Sequence, residues 1–243
     1  MKAITIIIPL YNEEYRLKNL FYNIIRFSKK NIFKIQFVLV DDGSSDNTGY
    51  ELKKFKKKIE MLKIKKKIQV IVIFNKQNFG KGRSIKNGSK KAIYDFILTC
   101  DADLSVKFEQ LSDWIKKGYI DFKCANKAYF ASRTHPKSVV VKKIHREILG
   151  SVYNFLNNIL FYTGKNDTQC GFKLYPKKFK SILENLTIDR YAHDIEIFHK
   201  IRQKKGIIKF LPVEWSHKRG SKVNLFTDSL KMLIDTIKFK ITI

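Results

Sequence analysis

The chain has 243 residues, 44% hydrophobic and 13% aromatic, enough to bury a core and to exclude a mainly disordered protein. Lys and Arg number 49 against 22 Asp and Glu, a formal net charge of +27, and only 8 of the 49 are arginine. The charge has two readings of equal weight: a lysine-biased composition alone, or an anionic partner such as nucleic acid, a membrane surface or a phosphorylated ligand.

In chain order, ITIII (4–8) is a β-branched run that predicts a buried strand. Residues 12–27 predict a helix, with Leu17, Leu20, Ile24 and Phe27 at helical spacing. FVLV (37–40) predicts a second strand, and DDGSSDNT a turn. Thr48-x-x-Glu51 predicts a capping box for a helix running into nine lysines between Lys53 and Lys67, mostly a solvated face. IQVIVI (68–73) is a third strand, NFGKGRS (78–84) a turn into a helix to about Tyr94, and FILTC (96–100) a fourth strand. Strands alternating with helices imply a mostly parallel sheet covered on both faces, with ligands at the C-terminal strand ends.

The second half is less regular. FAS (130–132) predicts a short strand before Arg133, and residues 139–162 a long helix. That helix has a broad apolar face, Ile144, Ile148, Val152, Phe155 and Ile159, and a basic start at Lys137, Lys142, Lys143, His145 and Arg146. The face suits the sheet, a second subunit in a homo-oligomer, or an anionic membrane surface. DTQCGFKLY (167–175) leads a loop into a strand, and residues 190–201 predict a helix. The tail sets Phe226, Leu230, Leu233, Ile237 and Ile241 on one face; its polar side is only mildly basic, so it is read as packing rather than membrane-binding. Three cysteines without C-x-x-C indicate no disulfide framework or zinc site and fit a reducing cytosol. Neither a signal peptide nor a spanning run of ~18 apolar residues is read.

The strand exits narrow the chemistry. PLYNEE after the first strand is not G-x-G-x-x-G, and GKGRS is not a P-loop. Asp41 is read equally as a ligand for a ribose hydroxyl and as a turn former, and Asp42 as a turn former or helix cap. Asp101 and Asp103 leave the fourth strand one residue apart. A hard divalent cation takes such oxygen ligands and keeps phosphates in its shell; the alternative is a helix cap, with Ser105 competing. No helix-turn-helix, zinc-finger, RRM or KH signature is present, so nucleic acid is set aside as a partner.

Taken together, ITIIIPLYNEE, FVLVDDGSSDNT, NFGKGRSIKNG and LTCDADLS resemble the inverting family 2 glycosyltransferases, and the match covers roughly residues 3–110. ASR (131–133), DTQCGFKLY, HDIE (193–196) and WSHKRGSKVN…DSLKML narrow the resemblance to polyprenyl-phosphate sugar transferases of the dolichyl-phosphate β-glucosyltransferase branch, with Tyr175 where Phe is usual. The resemblance implies an α/β GT-A fold, Rossmann-like, over residues 1–222, with an amphipathic helix at 223–243. It implies Pro9, Tyr11, Glu13 and Asp41 at the nucleoside, and Lys81, Asp101 and Ala102 at the donor. Asp101 and Asp103 would hold Mg²⁺ or Mn²⁺, Asp103 the more direct ligand. Arg133 and Lys222 would approach phosphates, and Gln169, Cys170, Gly171 and Asp194 would shape the acceptor side.

The implied reaction moves a sugar, glucose from UDP-glucose favoured, onto a polyprenyl or dolichyl phosphate, by a protein peripheral on the cytoplasmic membrane face. The alternative is another nucleotide sugar such as GDP-mannose, or a saccharide acceptor. A phosphate acceptor is already anionic and needs no strong base. Asp194 is therefore open between a chemical role, positioning, and pairing with Arg190 or His193.

Overall fold

The computed structural model describes residues 3–30, 33–62, 68–141, 157–164, 166–218 and 225–243. Four β-α steps build its first half: β1 (Ala3–Leu10), α1 (Glu14–Lys30), β2 (Lys34–Asp41), α2 (Thr48–Met61), β3 (Ile68–Phe74), α3 (Lys81–Ser89), β4 (Phe96–Thr99) and α4 (Glu109–Lys116). Then follow β5 (Lys127–Ala131), β6 (Val139–Val141), β7 (Lys173–Pro176), α5 (Lys180–Glu184), α6 (His193–Gln203), β8 (Ile207–Leu211), β9 (Glu214–Ser216) and α7 (Leu225–Thr242).

The central sheet has the order β3-β2-β1-β4-β7-β5-β8. Every strand runs parallel to β1 except β7, which is antiparallel to both β4 and β5. The expected mostly parallel α/β sheet is therefore present. Side-chain alternation splits the core between its faces. Ile4, Ile6, Ile8, Phe37 and Leu39 pack with Leu20, Phe27, Phe55 and Trp114. Ile7, Val38, Val40 and Ile97 pack with Ile85, Leu183, Ile195 and Ile201. The reversed β7 matters for the site: its N-terminal residue Lys173 is registered with Thr99 at the end of β4. The loop before β7 thus arrives at the edge where β4 releases Asp101.

Several local expectations need correction. α1 begins at Glu14 rather than Asn12, because Asn12 is left-handed (φ 52°) and its side-chain oxygen accepts the Ser45 N–H at 2.8 Å. The Thr48 capping box does not form; the Thr48 hydroxyl instead accepts the Glu13 N–H at 2.8 Å, latching the β1 exit to the β2 exit. α3 stops at Ser89, not near Tyr94. There Gln36 of β2 donates to the Lys91 carbonyl and accepts from the Ile93 N–H, so a strand side chain captures the backbone that would have continued the helix.

The helix expected at 139–162 starts instead as strand β6, paired parallel with β9. Its middle, including Lys142, Lys143, Ile144, His145, Arg146, Ile148, Val152 and Phe155, lies outside the described residues, and residues 157–161 are helical. In the tail the outcome is inverted. α7 packs through Thr236 and Phe239, while Leu230, Ile237 and Ile241 of the expected packing face are exposed. Helices α4 and α5 and strands β8 and β9 were not anticipated.

Candidate active site

The exits of β1, β2, β3 and β4 surround an open cleft of about 570 Å³. Pro9, Leu10, Tyr11, Glu13 and Arg16 form one wall; Asn78, Gly80, Lys81 and Ser84 form another; Asp101, Ala102 and Asp103 lie between. Arg190, Tyr191 and Asp228 close it from the second half of the chain.

The acidic turn is built from β4 outward. The Leu104 N–H donates to the Asp101 carbonyl at 3.2 Å, and the Ser105 N–H donates to Asp103 Oδ1 at 2.8 Å. Neither aspartate caps α4, whose cap residue is Phe108. Lys81 Nζ lies 2.5 Å from Asp101 Oδ1. Enclosure in protein alone would lower the Lys81 ammonium; the charges of Asp101 and Asp194 outweigh it and hold Lys81 above the ordinary lysine range. Enclosure likewise pushes Asp101 up, but Lys81, then Lys173 and Arg133, bring its carboxyl below the usual range. Asp103 goes the other way: enclosure and then the Asp101 charge raise it, and the Ser105 amide restores only part.

That asymmetry tests the fit of a cation. Lys81 neutralises Asp101 but leaves Asp103 only partly compensated, by Ser105 and the Arg16 charge, and both offer hard oxygen donors on one turn. These residues fit Mg²⁺ or Mn²⁺. Among the described residues no group of three or more His, Cys, Asp or Glu is arranged to hold a metal ion by itself.

The glycines of NFGKGRS serve packing. A Cβ at Gly82 would meet the Ile188 carbonyl at 2.2 Å, so only glycine lets α3 approach residues 188–193. Arg83 then clamps Asp189 with two hydrogen bonds of 2.6 and 2.7 Å, fixing the segment that carries Arg190 and Tyr191 to the cleft.

Asp41, expected at the nucleoside, is buried and accepts the Ser44 N–H at 3.1 Å; its neighbour Asp42 lines the cleft. Asp42 also accepts the Gly80 N–H at 2.7 Å and the Asn75 amide at 2.6 Å, holding the β3–α3 loop. Arg133 is gripped by buried Asp167 through bonds of 2.5 and 3.0 Å. The Gln169 N–H donates to the same carboxylate at 3.0 Å. Cys170 is buried in the core, and that burial pushes its thiol up to about 12. Gly171 lies directly against Asp101. Lys222 falls outside the described residues.

Asp194 is buried on the first turn of α6. Of the partners expected for it, His193 lies near, with Nε2 at 3.3 Å but making no hydrogen bond, and the ion-pair partner is not Arg190 but the fully buried Lys173 of β7. His193 Nδ1 is 2.7 Å from the Arg190 carbonyl. Burial, reinforced by Lys81 and Lys173, lowers the His193 pKa despite Asp194.

Sequence reading missed Arg16, Arg190, Tyr191, Asp228 and Lys173. A lysine inside the apolar strand FKLYP was the available signal for Lys173, since a buried ammonium needs a carboxylate.

Residues 5–183 match the model of glycosyl transferase family 2. The dolichyl-phosphate beta-glucosyltransferase of Homo sapiens is 31% identical, covering 95% of this chain and 72% of its own length. That of Saccharomyces cerevisiae is 32% identical, covering 96% and 73%. That of Dictyostelium discoideum is 29% identical, covering 98% and 73%. Among solved structures, glucosyl-3-phosphoglycerate synthase from Mycobacterium tuberculosis, in complex with Mn²⁺, UDP-glucose and phosphoglyceric acid, superposes with a TM-score of 0.70. It does so at 13% identity, over all of this chain and 80% of that one, which shows a shared fold. The acidic turn at the end of β4, the cleft around it and the match over most of the length agree: the chain belongs to glycosyl transferase family 2 and is a glycosyltransferase.

Proposed function

We propose that the protein transfers glucose from UDP-glucose to a dolichyl or polyprenyl phosphate with inversion, dependent on Mg²⁺ or Mn²⁺, at a membrane face. The carrying observation is the Asp101–Asp103 turn with Lys81 at the floor of the cleft. The names of the relatives at 29–32% identity support the sugar and the acceptor.

In this reading Pro9, Tyr11 and Glu13 hold the nucleoside side of the donor. Lys81, Arg16 and Arg190 place positive charge around its diphosphate, where negative charge grows as the nucleotide leaves. Asp101 and Asp103 hold the metal, which when bound supplies Lewis-acid stabilisation of the departing diphosphate. The Gly171 loop and Arg133 border the acceptor, whose phosphate is already ionised and attacks without a base. Asp194, committed to Lys173, positions rather than takes a proton.

The test offers the purified protein UDP-glucose and GDP-mannose in turn, with Mn²⁺ and a short polyprenyl phosphate. Glucose should pass into the organic phase, and both EDTA and Asp103→Ala should abolish transfer. A saccharide acceptor glycosylated in the absence of any lipid product would overturn the proposal.

A further inference from the structure

Helix α7 has two apolar faces, and only one is packed. Phe239 is buried and stacks on Phe161 with centroids 5.9 Å apart, while Thr236, one turn earlier, is fully buried. On the opposite side Leu230, Ile234, Ile237 and Ile241 are 53%, 42%, 42% and 79% exposed. Their spacing of four, three and four residues makes one continuous line along the helix. At ~100° per residue, Lys231 and Lys238 flank that line on one side and Lys240 on the other. All three lysines are exposed, Lys231 and Lys238 beside the stripe and Lys240 with its ammonium over the edge of the packed side, 5.3 Å from the Phe161 ring centroid. The acids of α7 lie off the stripe: Asp228 lines the cleft, and Asp235 is half-buried, its charge felt against Lys238 and then Arg190. The outward face is therefore an apolar stripe between rims of a single sign.

We propose that this face of α7 docks on an anionic lipid bilayer, the stripe entering the headgroup–acyl boundary and Lys231, Lys238 and Lys240 meeting lipid phosphates. Charge selects this occupant. A second copy would bring another lysine rim, on a chain of net charge +27, against the first, whereas anionic lipid neutralises it. The helix also fixes where the bilayer lies. Its first turn borders the cleft at Asp228, and the stripe runs away from there at ~1.5 Å per residue. Delivery of a lipid-borne acceptor to the cleft rests on the proposed reaction; the docking itself does not.

The experiment measures sedimentation of the full chain with vesicles of phosphatidylcholine alone and of phosphatidylcholine with phosphatidylserine, at moderate salt. The parent should prefer the anionic vesicles. Ile234→Asn with Ile237→Asn, which leaves the charge unchanged, should weaken that binding about tenfold or more. Lys231→Gln, Lys238→Gln and Lys240→Gln together should remove the preference for anionic lipid. Because the stripe is exposed, thermal midpoints and UDP affinity should stay at parental values. An Ile237→Trp variant gives a second readout: its added indole emission should shift to the blue with anionic vesicles. Parental binding by the double asparagine variant, or no blue shift from the Ile237→Trp variant, overturns the proposal. So does a parental dimer in light scattering that the asparagine substitutions convert to monomer. Vesicle binding without any lipid-linked product would leave docking standing and remove the proposed reaction.

Discussion

Gly171 leaves open the space in which the Asp101 carboxylate lies: a Cβ at 171 would sit 2.4 Å from Asp101 Oδ2. The constraint is mutual, because Lys81 holds the other oxygen of Asp101 at 2.5 Å and resists its displacement. Gly171→Ala should therefore push the Asp101 carboxylate out of its place in the cleft. Misplacement by about an ångström costs on the order of 10²-fold in rate. We expect kcat/KM for transfer to fall by about that factor, with the circular dichroism spectrum retained. Parental turnover would show that Asp101 does not need this position.

Lys173 is the buried cation of the second half, paired with Asp194 and lying 5.2 Å from the Phe130 ring centroid. Lys173→Met leaves the Asp194 carboxylate buried without that compensation. The expected loss is ~3 kcal/mol or more of unfolding free energy in urea. Adding Asp194→Leu should recover part of the stability, since removing both charges costs less than removing one. Turnover should stay low in the double variant if the pair positions the site, and return if it only stabilises the fold.

Asp167 and Arg133 make a similar but more open pair. Burial alone would raise the Asp167 pKa; the adjacent guanidinium outweighs it and holds the carboxyl below its usual range. Asp167 is thus fully ionised well above its folded value, and its contribution to stability is lost only as pH falls through that lowered value. Asp167→Asn should cost ~3 kcal/mol at pH 7. The gap between variant and parent should be undiminished at pH ~5, above the unfolded value of ~3.9. Urea titrations at the two pH values check this, and a gap that closes between them counts against the pairing.

His193 titrates in the opposite region. Burial, with Lys81 and Lys173 nearby, depresses its pKa, while Asp194 and the Arg190 carbonyl pull only partly upward. The unfolded chain therefore takes up this proton first as pH drops below ~6.5, and the native state loses stability there. The slope contributed is at most ~1.4 kcal/mol per pH unit. His193→Gln should flatten the stability profile between the unfolded and folded values. An unchanged profile would assign the slope elsewhere, with His199, whose pKa burial also lowers, the first group to examine.

The first four strands were legible because strands covered on both faces are near-continuous β-branched runs. The cleft edge was legible with them, since strand ends fix where Asp101 and Asp103 fall. What escaped reading depended on distant pairing. Gln36 ends α3 from a strand more than fifty residues earlier, through its bonds to the 91–93 backbone. Lys173 reaches Asp194 only because β7 is reversed, whereas helix neighbours such as Arg190 were the partners visible along the chain. Arg190 and Tyr191 reach the cleft because Gly80 and Gly82 admit their segment against α3. In the tail both faces are apolar, so periodicity alone could not say which one packs.

The reversed strand also bears on how the protein is made. Until β7 pairs, β4 is the rim of a four-stranded sheet in the order β3-β2-β1-β4, its backbone donors and acceptors open along one side. The strand that closes it begins more than seventy residues after β4 ends. Such late, non-local pairing is slow relative to local helix and strand formation, and an unpaired rim is a template for other chains. The pairing that brings Gly171 to the acidic turn is thus the same pairing that covers the open rim of β4 and leaves only β3 and β8 as edges.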